Sequence, residues 1–122
     1  MTQQKGVSTV SDCLFCRIIA GEIPSTKVYE DDQILAFRDI KPEAPTHILF
    51  IPKKHIPNLN QLQEEDQPLL GAMLKVIGEE ALRQGLTEGY RIVSNCGAKA
   101  GQSVDHLHFH LLGGRNLQWP PG

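Results

Sequence analysis

The stretch "SVDHLHFHLLGG", residues 103–114, places His106, His108 and His110 at alternate positions, with Asp105 just before them. Side chains on a strand alternate between two faces. A strand over 104–112 is therefore expected to carry Val104, His106, His108, His110 and Leu112 on one face. Leu107, Phe109 and Leu111 share the other face with Asp105, and that side reads as the core. A buried, unpaired carboxylate is costly, so Asp105 is expected near the strand start, exposed or hydrogen-bonded. Neighbouring histidines on such a strand lie about 6–7 Å apart. Only 5 of the 122 residues are histidine, and three of them fall here, a choice that solvent exposure alone does not explain. Two histidines at i, i+2 can bind a zinc ion with a third ligand from another strand. A neutral imidazole can instead act as a nucleophile when its second ring nitrogen is tied to an acceptor. The residues alone leave both open.

Before this stretch, "YRIVSN" (90–95) reads as a strand and "CGAKAG" (96–101) as a glycine-containing turn. "EEDQPLLGAMLKVIGEEALRQG" (64–85) reads as the main helix. Leu70, Met73, Leu74, Ile77 and Ala81 form its expected apolar stripe. Glu64, Glu65 and Asp66 sit where the helix dipole favours acids, and Gly85 is the expected C-cap. "THILFIP" (46–52) is a β-branched and aromatic strand with His47, Leu49 and Ile51 on one face. "KVYEDDQILAFRDI" (27–40) reads as two short strands around an Asp-rich turn. "SDCLFCRIIAGEIP" (11–24) predicts a short helix from about 12 to 20, capped by Ser11 or Asp12 and closed by Gly21. Residues 1–11 are polar and aperiodic and read as a flexible tail ahead of one domain over 12–122. Short strands joined by turns favour an antiparallel α+β domain of about five strands and two helices.

The composition fits a single soluble domain: 122 residues, 40% hydrophobic, 21% charged, with a net charge of −2. Lys53 and Lys54 are the only adjacent basic pair, so no nucleic-acid footprint is expected. No apolar run is long enough to span a membrane, and the first residues lack an apolar signal region. Three cysteines, two of them as Cys13-x-x-Cys16, argue for a reducing compartment, and a cytoplasmic location is expected.

The run H-L-H-F-H-L-L resembles the histidine-triad (HIT) superfamily of nucleotide hydrolases and transferases. "CLFCRIIAGEIPSTKVYEDDQILAFRDI", "APTHILFIPKKHI", "GYRIVSN" and "GQSVDHLHFHLLGGRNLQWPPG" are similar, in order and spacing, to its Hint branch of nucleotide-binding proteins. The resemblance runs from about residue 12 to the end. It implies the HIT-like fold, and a homodimer with a continuous sheet. It also implies a purine nucleoside phosphoramidase, an enzyme that cleaves the P–N bond of AMP or GMP phosphoramidates. His108 would be the nucleophile, and His110, His47 and Ser103 would assist. Asp39 would bind the ribose, and Phe15, Ile18, Ile23, Phe37 and Ile40 would line the base pocket. Asn95, Gly101, Gln102 and Ser103, with His108 and His110, would surround the phosphate. Trp119, in the terminal "WPPG", would contact the leaving group across the dimer interface.

No cofactor is implied for catalysis. Some bacterial members of the family bind zinc with a Cys, Cys, His, His set, which here would be Cys13, Cys16, His55 and His106 as a structural site. Asp105 departs from the family pattern, where an aromatic residue is usual. Three other functions compete: a dinucleoside polyphosphate hydrolase, a nucleotide-binding or scaffolding protein with little turnover, and a histidine-ligated metallohydrolase.

Overall fold

A computed structural model describes residues 12–122. The tail expected over 1–11, and Ser11 as a helix cap, lie outside the described residues. Helix α1 (Leu14–Ile19) is followed by strands β1 (Lys27–Glu30), β2 (Ile34–Arg38) and β3 (Thr46–Pro52). Helix α2 (Gln67–Arg83) and strands β4 (Tyr90–Val93) and β5 (Phe109–Gly113) complete the order. The strands form one antiparallel sheet in the order β1-β2-β3-β5-β4. This is the α+β architecture the sequence predicts.

Each face of the sheet is covered. Ile34, Ala36, Ile48, Phe50, Phe109 and Leu111 pack with Met73, Val76, Ile77 and Ala81 of α2. Leu35, Phe37, Leu49 and Ile51 pack with Cys13, Phe15, Cys16 and Ile18 around α1. Burial on both faces explains why β3 reads as an unbroken apolar run with His47 inside it.

Three boundaries differ from the sequence reading. α1 is capped by Cys13, whose thiol accepts from the Cys16 N–H, rather than by Ser11 or Asp12. A 3₁₀ turn, Glu64–Asp66, precedes α2, and a reciprocal bond between Gln63 and Asp66 caps it. The buried stripe of α2 is Leu69, Met73, Val76, Ile77, Glu80 and Ala81, whereas Leu74 is 50% exposed and Leu70 lies on the flank. Apolar residues come in adjacent pairs there (69–70, 73–74, 76–77), so periodicity could not select the member facing the sheet.

The strand expected over 104–112 is shorter: β5 starts at Phe109. Phe109 pairs with Phe50 and His110 with Val93, where β4 ends. Beyond Phe50 lies Pro52, which has no N–H to give a neighbouring strand. Residues 104–108 therefore run outside the ladder. Even so, their alternation survives: Leu107 joins the α2-side core, while Val104 packs with the α1-side cluster. Asp105 is exposed, which meets its desolvation problem.

Gly114, just after β5, has φ +94, and a Cβ built there would come within 2.9 Å of Pro45 Cβ. Gly114→Ala should therefore cost at least about 1–2 kcal/mol from backbone strain alone. A thermal melt should show a midpoint lower by roughly 5–10 °C. An unchanged midpoint would contradict the strain argument.

Candidate active site and cysteine–histidine cluster

The register of β3 against β5 brings two histidines together. His47 lies opposite Leu112 and Leu49 opposite His110, so His47 and His110 are diagonal neighbours on the α1 side. Their rings are 5.2 Å apart, and His108 is 5.1 Å from His110. Phe15 presents its ring edge-on to His108 at 5.1 Å and to His106 at 5.8 Å.

Fixed backbone groups decide where the imidazole protons sit. The Glu43 N–H donates to His47 Nδ1 at 3.0 Å, so a neutral His47 carries its proton on Nε2. That Nε2 lies 2.9 Å from His110 Nδ1 and 3.5 Å from Asp39 Oδ2. His110 Nδ1 therefore accepts, and its own proton is on Nε2. His108 Nδ1 donates to the His106 carbonyl at 2.7 Å, which leaves His108 Nε2 as a bare lone pair. The result is one nitrogen with a free lone pair beside one N–H donor.

Burial pushes His110 down to about 4, helped by His108 and His47, and burial also lowers His47. Both rings are thus neutral at physiological pH. The unfolded chain protonates its histidines near the ordinary value of 6.5, before the folded state does. Stability from these groups is complete above that value and is lost as the pH falls toward about 4. His106, lowered to about 4 by burial, and His55, lowered by burial, act with the same sign. Melts recorded from neutral pH down to about 4.5 should show a falling midpoint. A flat profile there would rule out these histidines as neutral in the fold.

A second cluster lies behind the first. Cys13 Sγ is 3.3 Å from His106 Nδ1, Cys16 Sγ is 3.6 Å from the same nitrogen, and His55 Nδ1 is 3.3 Å from Cys16 Sγ. The four ligand atoms all lie within 4.8 Å of one another. His106 donates from Nε2 to the Pro52 carbonyl at 2.8 Å, so its Nδ1 lone pair faces the sulfurs. A tetrahedral zinc separates such ligands by about 3.3–3.8 Å and favours this S₂N₂ set. The histidine–carbonyl bond is the usual support for a metal-bound imidazole. Burial, with Cys13 alongside, pushes the Cys16 thiol up to about 12, so a cation is what would make it a thiolate. The residues fit zinc. Asp39, His47 and His110 also converge within 4.8 Å, but His47 Nε2 holds a proton and its 2.9 Å contact is a hydrogen bond. That set does not fit a metal, which argues against the metallohydrolase reading.

A cavity of about 250 Å³ opens in front of the histidines. Phe15, Ile18, Ile23, Phe37 and Leu49 form its apolar wall, and Asp39, Ser103, His108 and His110 lie at its polar end. Ile40 belongs to the rim, being 91% exposed. Asp39 Oδ1 accepts from the Lys41 N–H at 2.8 Å, so it also caps the turn. Gly101 has φ +91, a conformation that calls for glycine, and a Cβ there would sit 3.9 Å from Asn95 Nδ2. Asn95, Gly101 and Gln102 do not line this cavity. The Gln102 side chain is used within the loop, donating to Pro57 O and Val104 O and accepting from Gly97 N–H. Trp119 is 81% exposed on the single chain. A larger concavity of about 740 Å³ lies between residues 85–91 and 114–117 and is lined by no histidine or cysteine, so the smaller one is the candidate site. Sequence reasoning missed Ser94, whose Oγ donates to the His108 carbonyl at 2.9 Å, and the Glu43 N–H. Neither leaves a motif.

Residues 12–118 match the family described as "Scavenger mRNA decapping enzyme C-term binding". A HIT-like protein of Synechococcus elongatus is 57% identical over 111 residues, 91% of this chain and 97% of that one. The chain belongs to the histidine-triad superfamily. This histidine-triad protein is also similar to a HIT family hydrolase of Legionella pneumophila, with TM-score 0.88 and 55% identity over 90% of this chain and 99% of that one. A histidine triad nucleotide-binding protein of Candida albicans has TM-score 0.76 and 37% identity, covering 88% of this chain and 82% of that one.

Proposed function

We propose that this histidine-triad protein is a hydrolase of the Hint type that cleaves the P–N bond of purine nucleoside 5′-phosphoramidates. The observation that carries the reading is the Nδ1–H bond from His108 to the His106 carbonyl, which leaves Nε2 unprotonated at the cavity wall. His108 Nε2 attacks the α-phosphorus, and the P–N bond breaks. The amine takes the bonding pair and a proton from the Ser103 hydroxyl, which solvent replenishes. The nucleotidyl-imidazole on His108 is positively charged, and its Nδ1–H stays on the His106 carbonyl. Water then attacks phosphorus and gives up a proton to solvent, the Nε2–P bond breaks with its electron pair returning to His108 Nε2, and the nucleoside monophosphate leaves. His110 Nε2–H donates to the phosphate oxygens as charge builds on them. Asp39 accepts from the ribose hydroxyls, and the apolar wall holds the base. Ser103, the one member of the 101–103 turn that lines the cavity, completes the phosphate end. No metal takes part in these steps.

Cys13, Cys16, His55 and His106 would hold a structural zinc that ties α1 to the loop before β5. The active form is a homodimer joined along the free edge of β4, with Trp119 of one chain reaching the other's site. The apolar residues left exposed near that edge, Leu74, Leu82, Tyr90 and Ile92, support this arrangement.

The test is incubation with an adenosine 5′-phosphoramidate carrying a fluorescent amine. Release of amine and AMP is the expected result. Cleavage of a dinucleoside polyphosphate without phosphoramidate turnover would replace this reading with the polyphosphate hydrolase. Tight AMP binding without turnover of either would leave a binding module.

A further inference from the structure

The nucleophile of the proposed reaction sits on backbone that the sheet does not hold. β4 ends at Val93, paired with His110, and β5 begins at Phe109. Beyond the cysteine contacts of His106 Nδ1, three bonds from other segments grip residues 106–108 among the described residues. Leu107 N–H donates to Ile56 O at 2.6 Å, and His106 Nε2 donates to Pro52 O at 2.8 Å. Ser94 Oγ donates to the His108 carbonyl at 2.9 Å. Of these three, the last acts on the nucleophile's own peptide.

The ring's own hydrogen bond cannot substitute for it. His108 Nδ1 is tied to a carbonyl only two residues earlier in the same segment. If that segment rocks, ring and acceptor move together and the bond survives. Ser94 immediately follows the residue that pairs with His110. It therefore references His108 to the frame that holds His110, the donor to the same phosphate.

We infer that Ser94 is a positioning residue, whose hydroxyl holds the His108 peptide so that Nε2 meets phosphorus in register with His110. The inference rests on the reading of His108 as nucleophile. Ser94 lies outside the residues lining the cavity, so its loss should act on the chemical step rather than on nucleotide binding.

Ser94→Val and Ser94→Thr have nearly the same shape and differ by the hydroxyl. With the phosphoramidate substrate, Ser94→Val should slow both kcat and single-turnover formation of the His108 adduct by about tenfold. KM should stay within about twofold, and Ser94→Thr should keep kcat within about threefold of the parent. Ser94→Ala, which adds no bulk, should show the same loss as Ser94→Val if the latter folds poorly. Equal rates for the Val and Thr variants, or a loss confined to KM or to the melting midpoint, would overturn the role of Ser94. Absence of any adduct on His108 in the parent protein would instead remove the nucleophile reading, and this inference with it.

Discussion

His108→Ala should abolish phosphoramidate turnover, lowering kcat/KM by about 10⁴-fold or more. No neighbouring nitrogen can take over. His110 Nδ1 is occupied by His47, and its Nε2 carries a proton; His106 spends Nε2 on Pro52 and aims Nδ1 at the cysteines. His110→Ala removes a donor rather than the nucleophile, and should cost a smaller factor of about 10²–10³. AMP binding to His108→Ala should persist, since the apolar wall and Asp39 are untouched. The decisive measurement is kinetic, made with and without a chelator. Turnover that survives in His108→Ala but vanishes with chelator would show metal-assisted chemistry and defeat the covalent reading.

The second large effect concerns the cysteine–histidine cluster. The protein purified without chelator should hold one zinc per chain, and Cys16→Ser should lose it. A ligand bound only by the folded state adds about 4 kcal/mol when its free concentration is a thousandfold above Kd. In a domain of this size that amounts to about 10–20 °C in melting midpoint. Removing zinc should therefore destabilise the fold strongly, while the chemistry on His108 remains of the same kind. Cys13→Ser should lose the zinc in the same way yet keep the start of α1, because a serine hydroxyl can accept the Cys16 N–H that the Cys13 thiol now caps. Metal analysis showing full zinc in Cys16→Ser, or none in the parent chain, would reject the site.

The two clusters are linked by single residues. His106 offers a lone pair to the cysteines through Nδ1, and its carbonyl accepts the hydrogen bond from His108 Nδ1–H. Phe15 lies between Cys13 and Cys16 in sequence, touches the rings of His106 and His108, and lines the cavity. A cluster that holds α1 in place thus also shapes the pocket wall.

Much of this was legible beforehand because it is local. Short β-branched and aromatic runs bounded by turn residues gave the sheet strands, and the H-x-H-x-H spacing put three rings on one side even where no ladder forms. Cys13 and Cys16 at i, i+3 had to share a face. What remained hidden depends on groups supplied from elsewhere in the chain. The face of α2 that is buried was decided by the sheet beneath it, since adjacent apolar pairs satisfy the helical period either way. The end of β5 was decided by Pro52 in one neighbour and by Val93, the last residue of the other. The tautomers in the centre were decided by the Glu43 N–H and by the Pro52 and His106 carbonyls, and burial is what keeps His47, His106 and His110 neutral. An imidazole has two equivalent-looking nitrogens in sequence. Only a fixed backbone donor or acceptor in space decides which of them carries the proton and which keeps the lone pair.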